Sequence, residues 1–265
     1  MKPVENERIL YGFWLSPYMA TVAHVLKESN IPFRYERVSP FVGDTQSDQH
    51  IARNPLGKIP SLEDSNGLIV SESQAICRYI SRTYPGAQQF YPCADPVLCA
   101  PVDAANDFLT FSISGPFFNW FVVGAYYPQA FKFKTERESE IYSSWSLIMI
   151  KGALGRLIGS AKMSPFLLGP DPCLADFHLF HILELGKTFS QIFEMPLLNL
   201  MAKNEALQNF YTAMSSRTST REILQAQAGE LALTRHEIFE EFGKAMEDSL
   251  VPARAALKAL FGHNV

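Results

Sequence analysis

The chain has 265 residues, of which 47% are hydrophobic and 19% are charged. This composition is apolar enough to bury a large core and excludes an intrinsically disordered chain. The net charge is -4 at pH 7 and no basic stripe offsets it, so the sequence argues against a nucleic-acid-binding protein.

The four cysteines are Cys77, Cys93, Cys99 and Cys173, and they form no CxxC pair or Cys/His cluster with metal-ligand spacing. We therefore expect no metal site and a reducing, cytoplasmic location. Residues 1–8 are polar and lack the apolar core of a signal peptide. The longest apolar stretches are interrupted by Gly, Pro, Ser or Lys. None supplies the ~20 apolar residues of a spanning helix, so we expect no membrane partner.

The first 85 residues alternate strand and helix patterns in the order β-α-β, a loop, then β-β-α. Strands are predicted at Ile9–Phe13, Phe33–Val38, Pro60–Glu63 and Leu68–Val70. The last two flank an Asn-Gly turn, which is a strong hairpin signal. One helix is predicted around the apolar stripe of Met19, Val22, Ala23 and Leu26, and another at Glu72–Thr83. The polar stretch at 39–53 is predicted to be the loop.

Residues 86–100 are rich in proline, as is typical of a linker. Beyond residue 100 the strand signals disappear. Helices are predicted at about 101–124, 136–159, 173–187, 204–216 and 235–261. We therefore expect a small α/β domain at residues 1–85, a linker at 86–100, and an all-helical domain with a long C-terminal helical tail at 101–265.

A proline stands directly before the third predicted strand, in the segment Asn54-Pro55-Leu56-Gly57-Lys58-Ile59-Pro60. Proline cannot donate to a sheet ladder and is usually confined to edges or strand starts. If the Ile59–Pro60 bond is cis, Ile59 can turn its N–H and C=O outward and pair with an extended, peptide-like ligand. A trans bond at a strand start is the more common alternative.

Serines open both helices of the first unit. Ser71-Glu72-Ser73 can simply cap a helix, or its free N–H groups can hold a carboxylate while Glu72 takes an adjacent ammonium. Ser16-Pro17-Tyr18 follows the first strand, where Ser16 can cap the helix or donate to a thiolate near the positive helix end. Each functional interpretation is weaker than capping when it is taken alone.

Taken together and in this order, these motifs resemble the thioredoxin-like N-terminal domain of the cytosolic glutathione transferases. The resemblance continues in the second unit, where Phe166-Leu167-Leu168-Gly169 and then Cys173-Leu174-Ala175-Asp176 are similar to the family's FLxG…S/T-x-A-D element. It covers about residues 9–221 and is nearest to the serine-using, theta-like and related classes. It implies a thioredoxin-like α/β domain followed by an all-helical domain, with glutathione as co-substrate and a homodimeric assembly.

The resemblance also implies a role for each matching residue. Ser16 would stabilise the glutathione thiolate. Ile59, beside a cis Pro60, would pair through its main chain with the cysteinyl portion. Glu72 and Ser73 would hold the γ-glutamyl head group.

The glycyl carboxylate has a less certain set of partners. Lys58 is placed to reach it, although a solvated lysine is the more common fate. Theta-like relatives often place a His or Lys there, whereas this chain is polar but uncharged at 45–47, so Gln46 is assigned to that side. His50 is nearby in an unsettled register. Asp107 would approach the γ-glutamyl amine of a partner subunit, or else be a surface residue.

The acceptor site is expected in the helical domain. The chain has 20 Phe, 10 Tyr and 3 Trp, and its densest aromatic run begins at residue 117. The predicted pocket residues are Tyr18, Phe117, Phe118, Trp120 and Phe121. Core packing is the default for such a stripe, but adjacent aromatics cannot all face one core, so some are expected to line the cleft between the domains.

The predicted function is a glutathione transferase that acts on an apolar, electrophilic or unsaturated small molecule in detoxification or secondary metabolism. The same thiol chemistry run as addition, bond rotation and elimination makes a glutathione-dependent cis-trans isomerase, which is the second candidate. A non-catalytic binding or regulatory protein of the same fold is the third. Cys chemistry at residue 16 is disfavoured because the residue is serine.

Overall fold

The computed structural model describes residues 7–118, 136–161, 163–192 and 198–240. The first unit contains β1 (Ile9–Gly12), α1 (Pro17–Glu28), β2 (Arg34–Arg37), α2 (Asp48–Arg53), β3 (Ser61–Glu63), β4 (Ile69–Ser71) and α3 (Ser73–Thr83). The strands form a sheet in the order β2-β1-β3-β4. β1 and β2 are parallel, and the other neighbouring pairs are antiparallel. This is the predicted thioredoxin-like arrangement.

Apolar side chains of α1 and α3 bury one face of this sheet. The predicted stripe of α1 is fully buried: Met19, Val22, Ala23 and Leu26. Ile76 and Ile80 of α3 are buried with them, together with Leu10 of β1 and Leu62 of β3. Residues at i, i+3, i+4 and i+7 share one helix face, so the sequence pattern correctly identifies the core of the first unit.

The stretch predicted as a polar loop contains a short helix. A 3₁₀ turn at Asp44–Gln46 leads into α2, which Ser47 caps by accepting from the His50 N–H at 3.3 Å. The strongly buried side chains between residues 39 and 53 are those of Ser39, Thr45 and His50, and the buried Asn54 follows them; all are polar. The prediction of a loop was therefore wrong because no apolar periodicity marks these helical residues.

The second unit is helical. It contains α4 (Pro96–Leu109), α5 (Gly115–Phe118), α6 (Glu136–Ala161), α7 (Leu174–Ile192), α8 (Glu205–Ser215) and α9 (Thr218–Glu240). α4 begins five residues before the predicted start at 101, because Asp95 caps it through the Val97 N–H at 2.8 Å. A π-helical turn, Thr110–Ser114, separates α4 from α5.

Helix α7 lies at the centre of the molecule. It packs against α1 of the first unit and α4 of the second, and it is buried over most of its length. Asp176 in its first turn is fully buried and accepts from the Leu167 and Cys173 N–H groups, both at 2.8 Å. The carboxylate is thus one half of a capping box, and the Asp176 N–H that a serine or threonine at position 173 would cap donates instead to the Cys173 carbonyl at 3.0 Å.

Helix α9 differs from the sequence-based prediction. The predicted helix at 235–261 lies outside the described residues from 241 onward, whereas the structure is already helical from Thr218. In the described part of the chain, no helix combines the length and the apolar character needed to cross a bilayer.

Candidate active site

Three predicted motifs meet at one end of the sheet. Tyr11 of β1 pairs with Ser61 of antiparallel β3, so the end of β1 lies beside the Ile59–Pro60 segment. Ser61 also pairs with Ser71 of β4, which places the start of α3 at the same end. The register therefore brings the Ser16 turn, the Ile59–Pro60 segment and the Glu72–Ser73 segment together.

Ser16 is the N-cap residue of α1. Its hydroxyl accepts from the Met19 N–H at 3.4 Å, and its own N–H donates to the Phe13 carbonyl at 2.8 Å, which closes the turn after β1. The side chain is half-buried and the first turn of α1 carries no acidic residue. The hydroxyl and the positive end of the helix dipole thus both favour a negative charge at this position.

The Ile59–Pro60 peptide bond is cis. Pro60 lies against Gly12, where an added Cβ would be 3.8 Å from the Pro60 Cβ and only 2.5 Å from the Met19 Cγ. The absence of a side chain at Gly12 therefore lets Met19 of α1 pack closely on the end of β1, with Pro60 in ordinary van der Waals contact beside it. Within the described residues, neither main-chain group of Ile59 is hydrogen-bonded to the protein, so both remain available to a ligand.

Glu72 precedes α3 with a positive φ of 70°, a conformation that non-glycine residues seldom adopt. Its side chain is exposed and makes no capping hydrogen bond to the helix. Ser73 begins the helix and is 8% exposed. Backbone strain of this kind is concentrated at functional sites. Glu72 thus presents a free carboxylate, on a strained backbone, beside a second helix N-terminus.

The predicted glycyl side is formed by two adjoining loops. Lys58 is exposed, and its carbonyl accepts from His50 Nε2 at 2.9 Å and from Asn54 Nδ2 at 2.8 Å. His50 therefore braces the loop from inside. Gln46 lies over Gly57, with its Nε2 2.5 Å from where a Cβ would be. The structure thus brings Gln46 next to the segment that carries Lys58.

The remaining predicted site residues are Asp107 and the aromatic residues assigned to the acceptor pocket. Asp107 is exposed on α4, and its approach to a partner subunit stays a prediction. Phe117 is fully buried in the core, so its aromatic ring packs the interior and does not line an exposed wall, contrary to the prediction. Phe118 ends α5, and the placement of its side chain lies outside what is described. Trp120 and Phe121 also lie outside the described residues.

Tyr18 is half-buried between the two units and belongs to a polar network that the sequence did not reveal. Its ring lies against His178, with ring centroids 6.1 Å apart, and burial raises the pKa of Tyr18. The Gln74 amide donates to His178 Nδ1 at 3.1 Å, so His178 Nε2–H donates to Ser114 Oγ at 3.2 Å. Burial lowers the pKa of His178 to about 4, which keeps the ring neutral at pH 7.

No spacing rule connects Gln74 with the distant Ser114 and His178, and a single histidine on an apolar helix is usually a core residue. Their one available signal is the position of Gln74, directly after Ser73 in the motif that opens α3. The network therefore links the predicted γ-glutamyl side of the site to the helical unit.

Three of the protein's four free thiols are buried. Cys77, Cys99 and Cys173 are buried, and Cys93 is half-buried with its thiol 3.9 Å from the Ser81 carbonyl. Burial raises the pKa of Cys77 to about 12 and raises the pKa of the Cys99 and Cys173 thiols as well. None of these three is poised to act as a nucleophile near neutral pH.

Comparison with known proteins identifies the first unit. Residues 10–88 match the family model described as glutathione S-transferase, N-terminal domain. A glutathione S-transferase from Hypomyces subiculosus is 37% identical over 86 residues, which make up 32% of this chain and 39% of that protein. A maleylacetoacetate isomerase from Dictyostelium discoideum is 32% identical over 83 residues, or 31% of this chain and 37% of that protein. The aligned region spans about two fifths of the length of these curated relatives.

Solved structures extend the likeness to the helical unit. A glutathione transferase family member from Pseudomonas fluorescens, solved with two glutathione bound, superposes with a TM-score of 0.70 at 18% identity. The superposition covers 84% of this chain and 94% of that one. At this identity the likeness concerns the fold, and it confirms the predicted combination of a thioredoxin-like domain and a helical domain.

Proposed function

We propose that the chain is a member of the cytosolic glutathione S-transferase superfamily and a glutathione transferase in which Ser16 activates the thiol. The match of residues 10–88 to the N-terminal domain of that family supports this, and the candidate site lies at one end of the first-unit sheet. The observation that carries the proposal is the convergence there of two helix N-termini, the unbonded main-chain groups of Ile59 and a free Glu72 carboxylate. This set matches a tripeptide that carries a thiol, carboxylates and an ammonium group.

The available groups fit glutathione portion by portion. The unbonded N–H and C=O of Ile59 suit its cysteinyl main chain, as a strand edge suits an extended peptide. Ser73 and the N–H groups of α3 suit the γ-glutamyl carboxylate, while the Glu72 carboxylate suits the adjoining ammonium. Lys58 and Gln46 stand on the side of the glycyl carboxylate.

The protein has to supply little chemistry of its own, because the reacting thiol belongs to glutathione. Glutathione supplies an ordinary thiol, which is largely protonated at pH 7 and whose thiolate is the nucleophile. Donation by the Ser16 hydroxyl and the dipole of α1 both favour the charged form and lower the thiol pKa. Holding an apolar electrophile beside it, against Tyr18, converts the encounter into an effectively unimolecular step.

Replacement of Ser16 by alanine tests this proposal. A hydrogen bond to a charged group is worth about 1.5–3 kcal/mol, so Ser16→Ala should lower kcat/KM for chlorodinitrobenzene about 10- to 100-fold. Ser16→Thr retains a hydroxyl and should keep most of the activity. The matched control is Asn204→Ala, which removes the N-cap hydrogen bond of α8 to the Leu207 N–H at 3.0 Å. Both alanine variants should lose about 1 kcal/mol of stability, and only the first should lose activity.

Two outcomes would contradict the proposal. Wild-type protein that neither binds immobilised glutathione nor conjugates any electrophile would be a binding or regulatory protein of this fold. Full activity in Ser16→Ala would show that another group activates the thiol.

A cis-trans isomerase is the second candidate, favoured by the similarity of the first unit to a maleylacetoacetate isomerase. Addition of the thiolate to a conjugated double bond, rotation and elimination return glutathione unchanged. Product analysis separates the candidates, because a stable thioether indicates a transferase and a glutathione-free geometric isomer indicates an isomerase.

We also propose a cytoplasmic homodimer. Large apolar side chains are exposed on the π-helical turn and on α6: Phe111, Trp145, Ile148 and Met149. Exposed apolar groups of this size on adjacent helical segments are typical of a surface that a second copy covers. Light scattering after size exclusion tests the assembly, and Trp145→Glu should shift it toward the monomer.

A further inference from the structure

Helix α9 contacts the first unit through a stripe that is mainly polar. Residues spaced by three and four along α9 share one face, and four of them are nearly or fully buried: Thr220, Ile223, Glu230 and Thr234, with half-buried Gln227 between them. Burial of polar side chains is favourable only when they are hydrogen-bonded. The hydrogen-bond partners of these side chains therefore show which parts of the first unit α9 contacts specifically.

Three of these residues bind three different parts of the first unit. Thr220 Oγ1 is 3.1 Å from His24 Nε2 on α1, and Gln227 Nε2 donates to the Trp14 carbonyl at 3.1 Å. Glu230 accepts from the Tyr35 hydroxyl at 2.9 Å and from Arg37 Nε at 2.7 Å, both on β2.

The central contact falls on the turn that carries Ser16. Trp14 lies inside the turn that the Ser16 N–H closes on the Phe13 carbonyl. Its carbonyl is held by Gln227, and its ring packs on Tyr35 with ring centroids 5.0 Å apart. Since Glu230 in turn holds the Tyr35 hydroxyl, α9 restrains both the main chain and the side chain of Trp14.

We propose that Gln227 is a positioning residue, which fixes the Trp14 peptide from the C-terminal helix and so orients the Ser16 hydroxyl toward the thiol. This rests on the proposed role of Ser16. Because the Trp14 carbonyl belongs to the peptide plane between Trp14 and Leu15, a rotation there moves the whole turn. Without the Gln227 donor, the hydroxyl keeps its chemistry but loses its fixed direction.

Variants of Gln227 test the proposal against a matched control. Gln227→Leu removes the amide at nearly constant size, and Gln227→Glu keeps the shape but presents no donor at neutral pH. Gln225 lies on the same helix and is exposed, so Gln225→Leu and Gln225→Glu control for helix propensity and charge. Gln227→Ala serves as the second variant if the leucine or glutamate protein does not fold.

The first readout is the pH profile of conjugation with chlorodinitrobenzene. Both Gln227 variants should raise the pH midpoint of kcat/KM by about one unit and lower kcat/KM near pH 6.5 about 10-fold. KM for glutathione should stay within about twofold, since Ile59, Glu72 and Ser73 are untouched. An unchanged midpoint in Gln227→Glu would overturn the proposal, because it would show that the donor is not needed.

The second readout does not depend on activity. Amide hydrogen exchange of the peptide containing residues 13–19 should be faster in Gln227→Leu than in Gln225→Leu, because the turn that includes the Ser16 N–H is released. Faster exchange in a protein whose wild type binds no glutathione would support the restraint and reject the proposed function. Equal exchange in both variants would overturn the restraint itself.

Discussion

Three buried histidines make the stability of this protein fall in mild acid. His24, His178 and His181 are at most 1% exposed. Burial, with Arg217 nearby, lowers the pKa of His24 to about 3, and burial alone lowers the pKa of His178 to about 4. The pKa of His181 is lowered by burial and by the other two histidines. His24 Nδ1 and His181 Nε2 are 3.1 Å apart. If both rings were protonated, each would point an N–H at the N–H of the other, and the two like charges would repel.

The sign and size of the effect follow from these directions. The unfolded chain protonates histidine near pH 6.5 while the folded protein keeps all three rings neutral, so the unfolded state gains protons as the pH falls. Each histidine then costs about 1.4 kcal/mol per pH unit below pH 6.5. Between pH 7.5 and pH 5 the loss is about 2 kcal/mol per histidine and about 6 kcal/mol in all, which approaches the total stability of many domains.

Carboxylates contribute in a different pH window. The pKa of Glu28, which accepts from Arg217 and Ser219, is lowered, so its stabilising contribution persists until the pH falls below its ordinary value of 4.5. Asp176 acts in the opposite direction because burial raises its pKa. Any proton that the folded protein binds at Asp176 in this interval opposes the histidine effect, so the difference between the wild type and a variant that lacks one histidine isolates the share of that histidine.

Urea unfolding followed by circular dichroism at half-unit pH intervals measures this slope. His178→Gln keeps hydrogen-bonding atoms without a titrating ring, and it should reduce the slope below pH 6 by about 1.4 kcal/mol per pH unit. A free energy of unfolding that stays flat from pH 7.5 to pH 5.5 would refute the reasoning. It would mean that the folded protein takes up these protons and that the rings are not sealed from water.

Further predictions concern packing, each measured by urea unfolding. Gly186→Ala should cost at least about 1 kcal/mol, because the new Cβ would lie 2.5 Å from the Leu198 carbonyl oxygen, whereas Gly155→Ala has no atom within 4 Å and should be neutral or slightly stabilising. Equal effects at the two glycines would contradict the close approach at 186. Asp176→Ala should cost about 3 kcal/mol by leaving two buried N–H groups unpaired, and an effect under 1 kcal/mol would mean that water replaces the carboxylate. Phe117→Ala should cost about 3–5 kcal/mol, and a much smaller loss would show that this ring is not part of the core.

The first unit was largely predictable because its signals are local. The apolar stripe of α1 and the Asn66-Gly67 turn are each encoded by the types and spacing of a few neighbouring residues. Gly67 does adopt a positive φ of 82°, and its N–H donates to the Asp64 carbonyl at 2.8 Å. The convergence of the three site motifs also follows from strand order, once adjacent strands are paired.

Long-range polar burial was not predictable. Helix α9 was placed too late because its buried face carries Thr220, Gln227 and Glu230, which no hydrophobic period detects. The link from Gln74 to His178 joins residues 104 positions apart and depends on how two units pack. Such contacts depend on how distant elements pack together, so they cannot be predicted from local helix or strand propensity.

The buried cysteines have a consequence for the proposed function. A protein that brings electrophiles to a reactive sulfur risks alkylation of its other sulfurs. At neutral pH the Cys77, Cys99 and Cys173 thiols stay protonated because burial raises each pKa, so under the proposed function these three sulfurs do not compete with a glutathione thiolate for the electrophile. Half-buried Cys93 is then the position at which adducts on the protein itself should first accumulate.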